Sequence, residues 1–248
     1  MPFPEDLTTR EAYILDAVRS GAAETVWSEV TTMIPGHTGT FAVTADAVKV
    51  EGVRVNVSAR LLQHIADEMG CSLLTPRLLD CLWLQRAVTV LPFTRPITSS
   101  TAAMLEHSAK IDQALEEQGS PSGIVGTVGK TWTISNALAV PTIPNMAENM
   151  GWHATRADFT EHLKGIPVAL GVTKGPEGTV RLIQGMGHRH DYTHTDYSQI
   201  ALLVSRTCQV DGEMRDLLDV FQDAELAGLV SHQGVLRVLR QPGVPQTV

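Results

Sequence analysis

Val48-Lys49-Val50-Glu51-Gly52-Val53-Arg54-Val55-Asn56-Val57-Ser58 is the stretch on which the fold turns. Valines alternate with polar residues on either side of Glu51-Gly52, the pattern of two short strands joined by a tight turn. At Ser58 the period changes, and Leu62, Ile65 and Met69 follow at helical spacing, with Gly70 just past the end. A serine ahead of such a stripe is a helix N-cap, and a glycine after it is a stop. Strands therefore give way to helix here without the regular strand–helix–strand alternation of a parallel sheet.

Upstream, Ala12, Ile14, Leu15 and Val18 predict a helix over Thr8 to Val18, capped by Thr8 or Thr9 and closed by Gly21. Glu24 to Val57 is β-branched, with turns at Pro35-Gly36 and Glu51-Gly52, and predicts three or four strands. Downstream, Thr75-Pro76 opens a helix through Leu78, Leu79, Leu82 and Trp83. Leu91 to Pro96, broken by two prolines, reads as a crossing segment. Ser99 and Ser100 precede a helix carrying Met104, Ser108, Ile111 and Leu115, which ends in the loop Gly119 to Gly123. Strand-like runs follow at Ile124 to Val128, Trp132 to Ser135, Val168 to Val172, Val180 to Gln184 and Ile200 to Ser205, with a hairpin turning at Gly175-Pro176-Glu177-Gly178. Met214, Leu217, Leu218 and Phe221 return to helical spacing. The expectation is an α+β fold: an N-terminal helix and small antiparallel sheet, a helical middle, and a C-terminal mixed or antiparallel sheet with flanking helices. It divides into regions 1–95 and 96–248, or closes as one compact domain.

The chain has 248 residues, 43% of them hydrophobic and 19% charged, enough for a sizeable core and too apolar for disorder. Nineteen Lys and Arg against 27 Asp and Glu give a formal charge of −8, which argues against nucleic acid as a partner. No apolar run approaches the roughly 20 residues of a membrane helix. The N-terminal residues lack the pattern of a signal peptide, so a cytoplasmic or virion-associated protein is expected. Cys71, Cys81 and Cys208 stand singly in apolar runs and read as reduced core thiols.

Chemistry concentrates in His188-Arg189-His190-Asp191-Tyr192-Thr193-His194-Thr195-Asp196-Tyr197-Ser198. An extended chain would put His188, His190, Tyr192, His194, Asp196 and Ser198 on one face, at the mouth of the buried strand Ile200 to Val204. His-x-His with a nearby carboxylate is a zinc pattern. The same residues without an ion suggest Ser198 as nucleophile, a histidine as base and Asp196 as its orienter, although Ser198 sits in no G-x-S-x-G elbow. Gly151-Trp152-His153 and Gly129-Lys130-Thr131-Trp132 add a histidine and a cation, the latter without the glycines of a P-loop. His107 reads as structural, His37 as a turn, and His64 and His232 as helix surface. Glu161-His162 lacks the second histidine of H-E-x-x-H.

Gly151-Trp152-His153, Ile183-Gln184, and His190 followed by Asp196-Tyr197-Ser198 together resemble a family of uncharacterised bacterial and phage-type proteins with the pattern GWH, IQ and H-x5-DYS. The likeness extends upstream through His107-Ser108, Lys130 and Asn136. It implies that His153, Gln184, His190, Asp196, Tyr197 and Ser198 share one site, with Lys130 nearby; His188 and His194 are less typical of it. A looser resemblance is to zinc peptidases of the D-alanyl-D-alanine type. There the two motifs run in the opposite order, and Met150 stands where that family carries its catalytic Glu, leaving Glu148 or Asp191 as substitutes.

The leading expectation is thus a hydrolase in which zinc, held by His153, His190 and Asp196 with His188 or His194, cleaves an amide-type bond of a peptidoglycan peptide or similar polymer. Lys130, Tyr197 or Gln184 would stabilise the oxyanion. The alternatives are a serine-type hydrolase using Ser198, and a non-enzymatic binding or virion-type structural protein.

Overall fold

A computed structural model describes residues 3–126, 128–154, 171–175 and 178–246. Helix α1 (Leu7–Arg19) starts slightly earlier than its threonines suggest, because the Asp6 carboxylate accepts the Thr9 N–H at 2.8 Å and caps the first turn. Five short strands follow where three or four were expected: β1 (Ala23–Glu24), β2 (Trp27–Ile34), β3 (His37–Thr44), β4 (Lys49–Val50) and β5 (Val53–Arg54). Val50 faces Val53 across the last turn, in which Glu51 and Gly52 have φ of 50° and 75°, the geometry that suits tight hairpins.

Ser58 caps α2 (Ala59–Glu68), and Thr75 caps α3 (Pro76–Leu84), with β6 (Cys71–Leu73) between them. After β7 (Val88–Thr89), Ser100 caps α4 (Thr101–Glu117). The chain continues through β8 (Val125–Gly126), β9 (Lys130–Thr133), β10 (Met146–Ala154), β11 (Gly171–Gly175), β12 (Gly178–Asp191), β13 (Leu203–Val210), β14 (Glu213–Asp216) and α5 (Leu217–Gln222). Met214 therefore belongs to a strand rather than to the final helix. The expected hairpin forms, with Gly175 facing Gly178. Pro176-Glu177, Val168 to Leu170 and Glu161-His162 lie outside the described residues.

The architecture is α+β with antiparallel sheets. One sheet runs β14-β13-β3-β2 with β6 also on β13; the second runs β11-β12-β10-β9. Smaller sheets comprise β1-β4-β5 and the parallel pair β7-β8. Because β13 pairs with β3 and β6, strands from both sides of residue 95 share the first sheet. A boundary there would cut across that sheet and across a hydrophobic cluster reaching from Phe3 to Leu236.

Residues 196–201 stitch the two parts together. Lys130 N–H donates to the Ser198 carbonyl and Ile200 N–H to the Lys130 carbonyl, both at 2.8 Å. On the other side, Val57 N–H donates to Gln199 at 2.7 Å and Val48 N–H to Ala201 at 3.0 Å. Among the described residues, no helix is long and apolar enough to cross a membrane.

Candidate functional site

Trp132 and Thr133 are neighbours in β9 and so face opposite sides of the second sheet. Each side carries its own polar network, and the residues expected to converge are divided between them.

On the Trp132 side, Lys130 Nζ donates to Asp196 Oδ2 at 2.5 Å, with side chains only 9% and 2% exposed. The other carboxylate oxygen, Oδ1, accepts the Ser198 N–H at 2.9 Å and the Ser198 hydroxyl at 2.8 Å. Burial alone would raise the Asp196 pKa, but Lys130 and the Ser198 donors outweigh it and hold it below the usual carboxylate range. Asn56 Nδ2 fixes the Asp196 carbonyl at 3.1 Å. Gly151 lets β9 and β10 come close enough for this arrangement: a Cβ there would lie 2.5 Å from the Gly129 carbonyl oxygen and 2.7 Å from Lys130 Cα.

His190 and His194 stack face to face, ring centroids 3.7 Å apart and planes 8° from parallel, with their edges on Trp132. Burial pushes both pKa values down; Lys130 reinforces this for His190, and His190 itself does so for His194. Both shifts favour the neutral imidazole at pH 7. Tyr197 completes this side. Its hydroxyl accepts the Arg95 N–H at 2.8 Å, and its ring touches His107 and Trp152 at centroid distances of 5.4 and 6.4 Å. Burial pushes the His107 imidazole down to about 4.

Around this group, Asn56 Oδ1, Asn149 Oδ1, Trp152 Nε1, His194 Nε2, Thr195 Oγ1 and both amide atoms of Gln199 are buried without a hydrogen-bond partner. Unpartnered buried polar atoms are costly, and several of them lie beside this ion pair.

The opposite side holds the other histidines. His153 Nε2 bonds Asp80 Oδ1 at 2.9 Å, His232 Nε2 bonds Asp80 Oδ2 at 3.1 Å, and His153 stacks on Trp83. Desolvation opposes the Asp80 charge, but the two imidazoles outweigh it and lower its pKa. His188 Nε2 bonds Glu148 Oε2 at 2.7 Å, and Glu148 also accepts from Thr133 Oγ1 and Ser135 Oγ at 2.7 and 2.5 Å. The Glu148 bond raises the His188 pKa.

The expected shared face fails for two local reasons. A register shift between Ala147 and Asn149 places His188 with Glu148 while His190 faces Ala147, so the two histidines diverge. After a second shift between Asn149 and Gly151, Trp152 adopts φ of 49°, and His153 turns to Asp80 while Trp152 turns to Tyr197. β12 also ends at Asp191, so no extended strand carries the alternation on to Ser198.

The structure thus brings together Lys130, Asp196, Tyr197, Ser198, His190 and His194, and separates His153 and His188 from them. Gln184 faces Gly151 in the register and donates to the Gly185 carbonyl at 3.0 Å. For zinc, His153, His188 and Asp196 are each already hydrogen-bonded to a charged side chain, Asp80, Glu148 and Lys130 in turn. His190 and His194 pair with no carboxylate, and no group of three His, Cys, Asp or Glu among the described residues is placed to hold one ion. That donor set does not fit a zinc site. Ser198 is fully buried, and its hydroxyl is engaged by Asp196 rather than by a histidine.

Sequence reasoning missed Asp80, and it raised Glu148 only as a substitute base rather than as the partner of His188. Asp80 did leave a signal, a lone acid inside the apolar run Leu78-Leu79-Asp80-Cys81-Leu82. His232 is no helix-surface residue but a ligand of Asp80. Comparison with protein families, curated proteins and solved structures found no match to this chain.

Proposed function

We propose that the Lys130–Asp196 region binds an amide-bearing molecule and hydrolyses it, with His190 as general base. The observation that carries this reading is the pairing of neutral, half-buried imidazoles with a buried ammonium amid polar atoms that lack partners. Catalytic groups with displaced pKa values cluster in such surroundings.

A neutral His190 can take a proton from water as that water attacks the carbonyl carbon. Lys130 gives one of its three N–H donors to Asp196, and the others are available to charge developing on the carbonyl oxygen. Asp196 orients Lys130, and Ser198 orients Asp196, so Ser198 is a positioning residue rather than a nucleophile. No metal ion enters this scheme. The substrate class is a peptidoglycan peptide or a similar amide polymer.

The test incubates the purified protein with a muropeptide and reads cleavage by mass spectrometry and binding by calorimetry. Cleavage by the wild-type chain that is lost in His190→Ala and Lys130→Met supports the hydrolase. Binding without cleavage makes the protein a non-enzymatic binding or virion-type protein. No interaction at all overturns the proposal. Activity that survives His190→Ala but disappears on chelation returns the chemistry to a metal.

A further inference from the structure

Trp152 has no role in the scheme above, yet three observations single it out. Its backbone is left-handed within a strand, at φ of 49°, a conformation that costs a bulky residue roughly 1–3 kcal/mol. Its indole Nε1–H is buried without a hydrogen-bond partner, in a residue only 7% exposed. Lys130 Nζ lies 5.2 Å from its ring centroid. An orphaned donor held in a strained conformation beside an ammonium is costly unless something else uses it.

The charge balance says what kind of acceptor it would meet. Lys130 and Asp196 cancel, and burial keeps His190 and His194 neutral. A carboxylate or phosphate would find no net positive charge here, whereas a neutral carbonyl oxygen needs only donors. We infer that Trp152 Nε1–H and the Lys130 ammonium together hold the carbonyl oxygen of the amide that is cleaved. Trp152 is then a catalytic residue, and the ligand is read at this point as a neutral amide rather than an anion. This rests on the hydrolytic reading above.

The step balances. Water's oxygen bonds to the carbonyl carbon while its proton passes to His190, and the carbonyl π pair moves onto the oxygen held by Trp152 and Lys130. When the tetrahedral species collapses, the C–N bond breaks and the leaving nitrogen takes the proton from His190.

Two measurements test it. With muropeptide, Trp152→Phe keeps a ring against Tyr197 but removes the N–H, and kcat should fall roughly 10²-fold with KM little changed, the effect of deleting one oxyanion donor. In the wild-type protein, the indole N–H resonances of the four tryptophans are followed by NMR during titration with acetamide and, separately, acetate. The Trp152 signal should shift with acetamide and not with acetate. Equal turnover by Trp152→Phe and wild type overturns the inference, as does a Trp152 signal that moves only with acetate. If the wild type cleaves nothing but acetamide still shifts the signal, the hydrolytic reading fails and the amide contact stands. If neither occurs, both fall.

Discussion

Lys130→Met tests the buried ion pair on which the site is built. Methionine nearly matches the lysine stem in length and fills similar space, so the main loss is the ammonium. Asp196 would remain 2% exposed with only the Ser198 donors on one oxygen and nothing on the other. Breaking a buried pair by removing one partner costs roughly 3–5 kcal/mol. At this chain length each kcal/mol lowers Tm by about 2–4 °C, so a drop of roughly 6–20 °C is expected. Urea denaturation of the wild type, Lys130→Met, Asp196→Asn and the double variant closes a thermodynamic cycle. The double variant should cost less than the two singles together by about 1–2 kcal/mol, because neither charge is then stranded. The pH dependence adds a signature. Without Lys130, burial dominates and lifts the Asp196 pKa above its unfolded value, so the deficit should be largest at neutral pH and shrink in acid as the carboxyl protonates. A Lys130→Met cost below about 1 kcal/mol, or strictly additive singles, would refute the reasoning.

His107, pushed down to about 4 by burial, binds its proton in the unfolded chain first, so stability should fall as pH drops from about 6.5 toward 4 by up to about 3 kcal/mol; that slope should be absent in His107→Gln. Gly151→Ala forces a Cβ against backbone atoms that cannot yield, and should cost roughly 1–3 kcal/mol or more by urea denaturation; a change within about 0.5 kcal/mol would show that β9 and β10 can separate. Cys71, Cys81 and Cys208 are buried and form no disulfide, and burial lifts the Cys71 and Cys208 thiols to about 11. Thiol titration should therefore find almost none reactive in the native protein and all three in denaturant.

Where local chemistry dictates structure, the sequence was readable. Ser58, Thr75 and Ser100 cap their helices because a side-chain oxygen reaches an N–H three residues on, an interaction that needs nothing from the rest of the fold. The Glu51-Gly52 turn is local in the same way. β10 carries no strand signal in the sequence because every one of its residues is buried, which erases the alternation, and because Glu148 and Asn149 are polar. The burial of Glu148 is made tolerable by Thr133, Ser135 and His188, which arrive from elsewhere in the chain. Asp196, Tyr197 and Ser198 stand out by clustering of chemical types and Lys130 by the resemblance, and Lys130 lies against Asp196 in the fold. The histidines were misassigned in bulk because strand parity was carried through two register shifts and one left-handed residue that leave no trace in composition.

The segment 196–201 has a mechanical consequence. It is bonded on one side to Lys130 and on the other to Val57 and Val48, so it cannot open without releasing strands from both halves of the chain. Loops that bind ligands commonly sit at the low end of local stability and move independently of the core. Here Asp196 and Ser198 lie in a seam whose opening amounts to global unfolding, and their backbone amides should exchange with solvent as slowly as those of β3. A molecule gripped at that seam would brace the whole protein, and its binding would register directly as a rise in melting temperature.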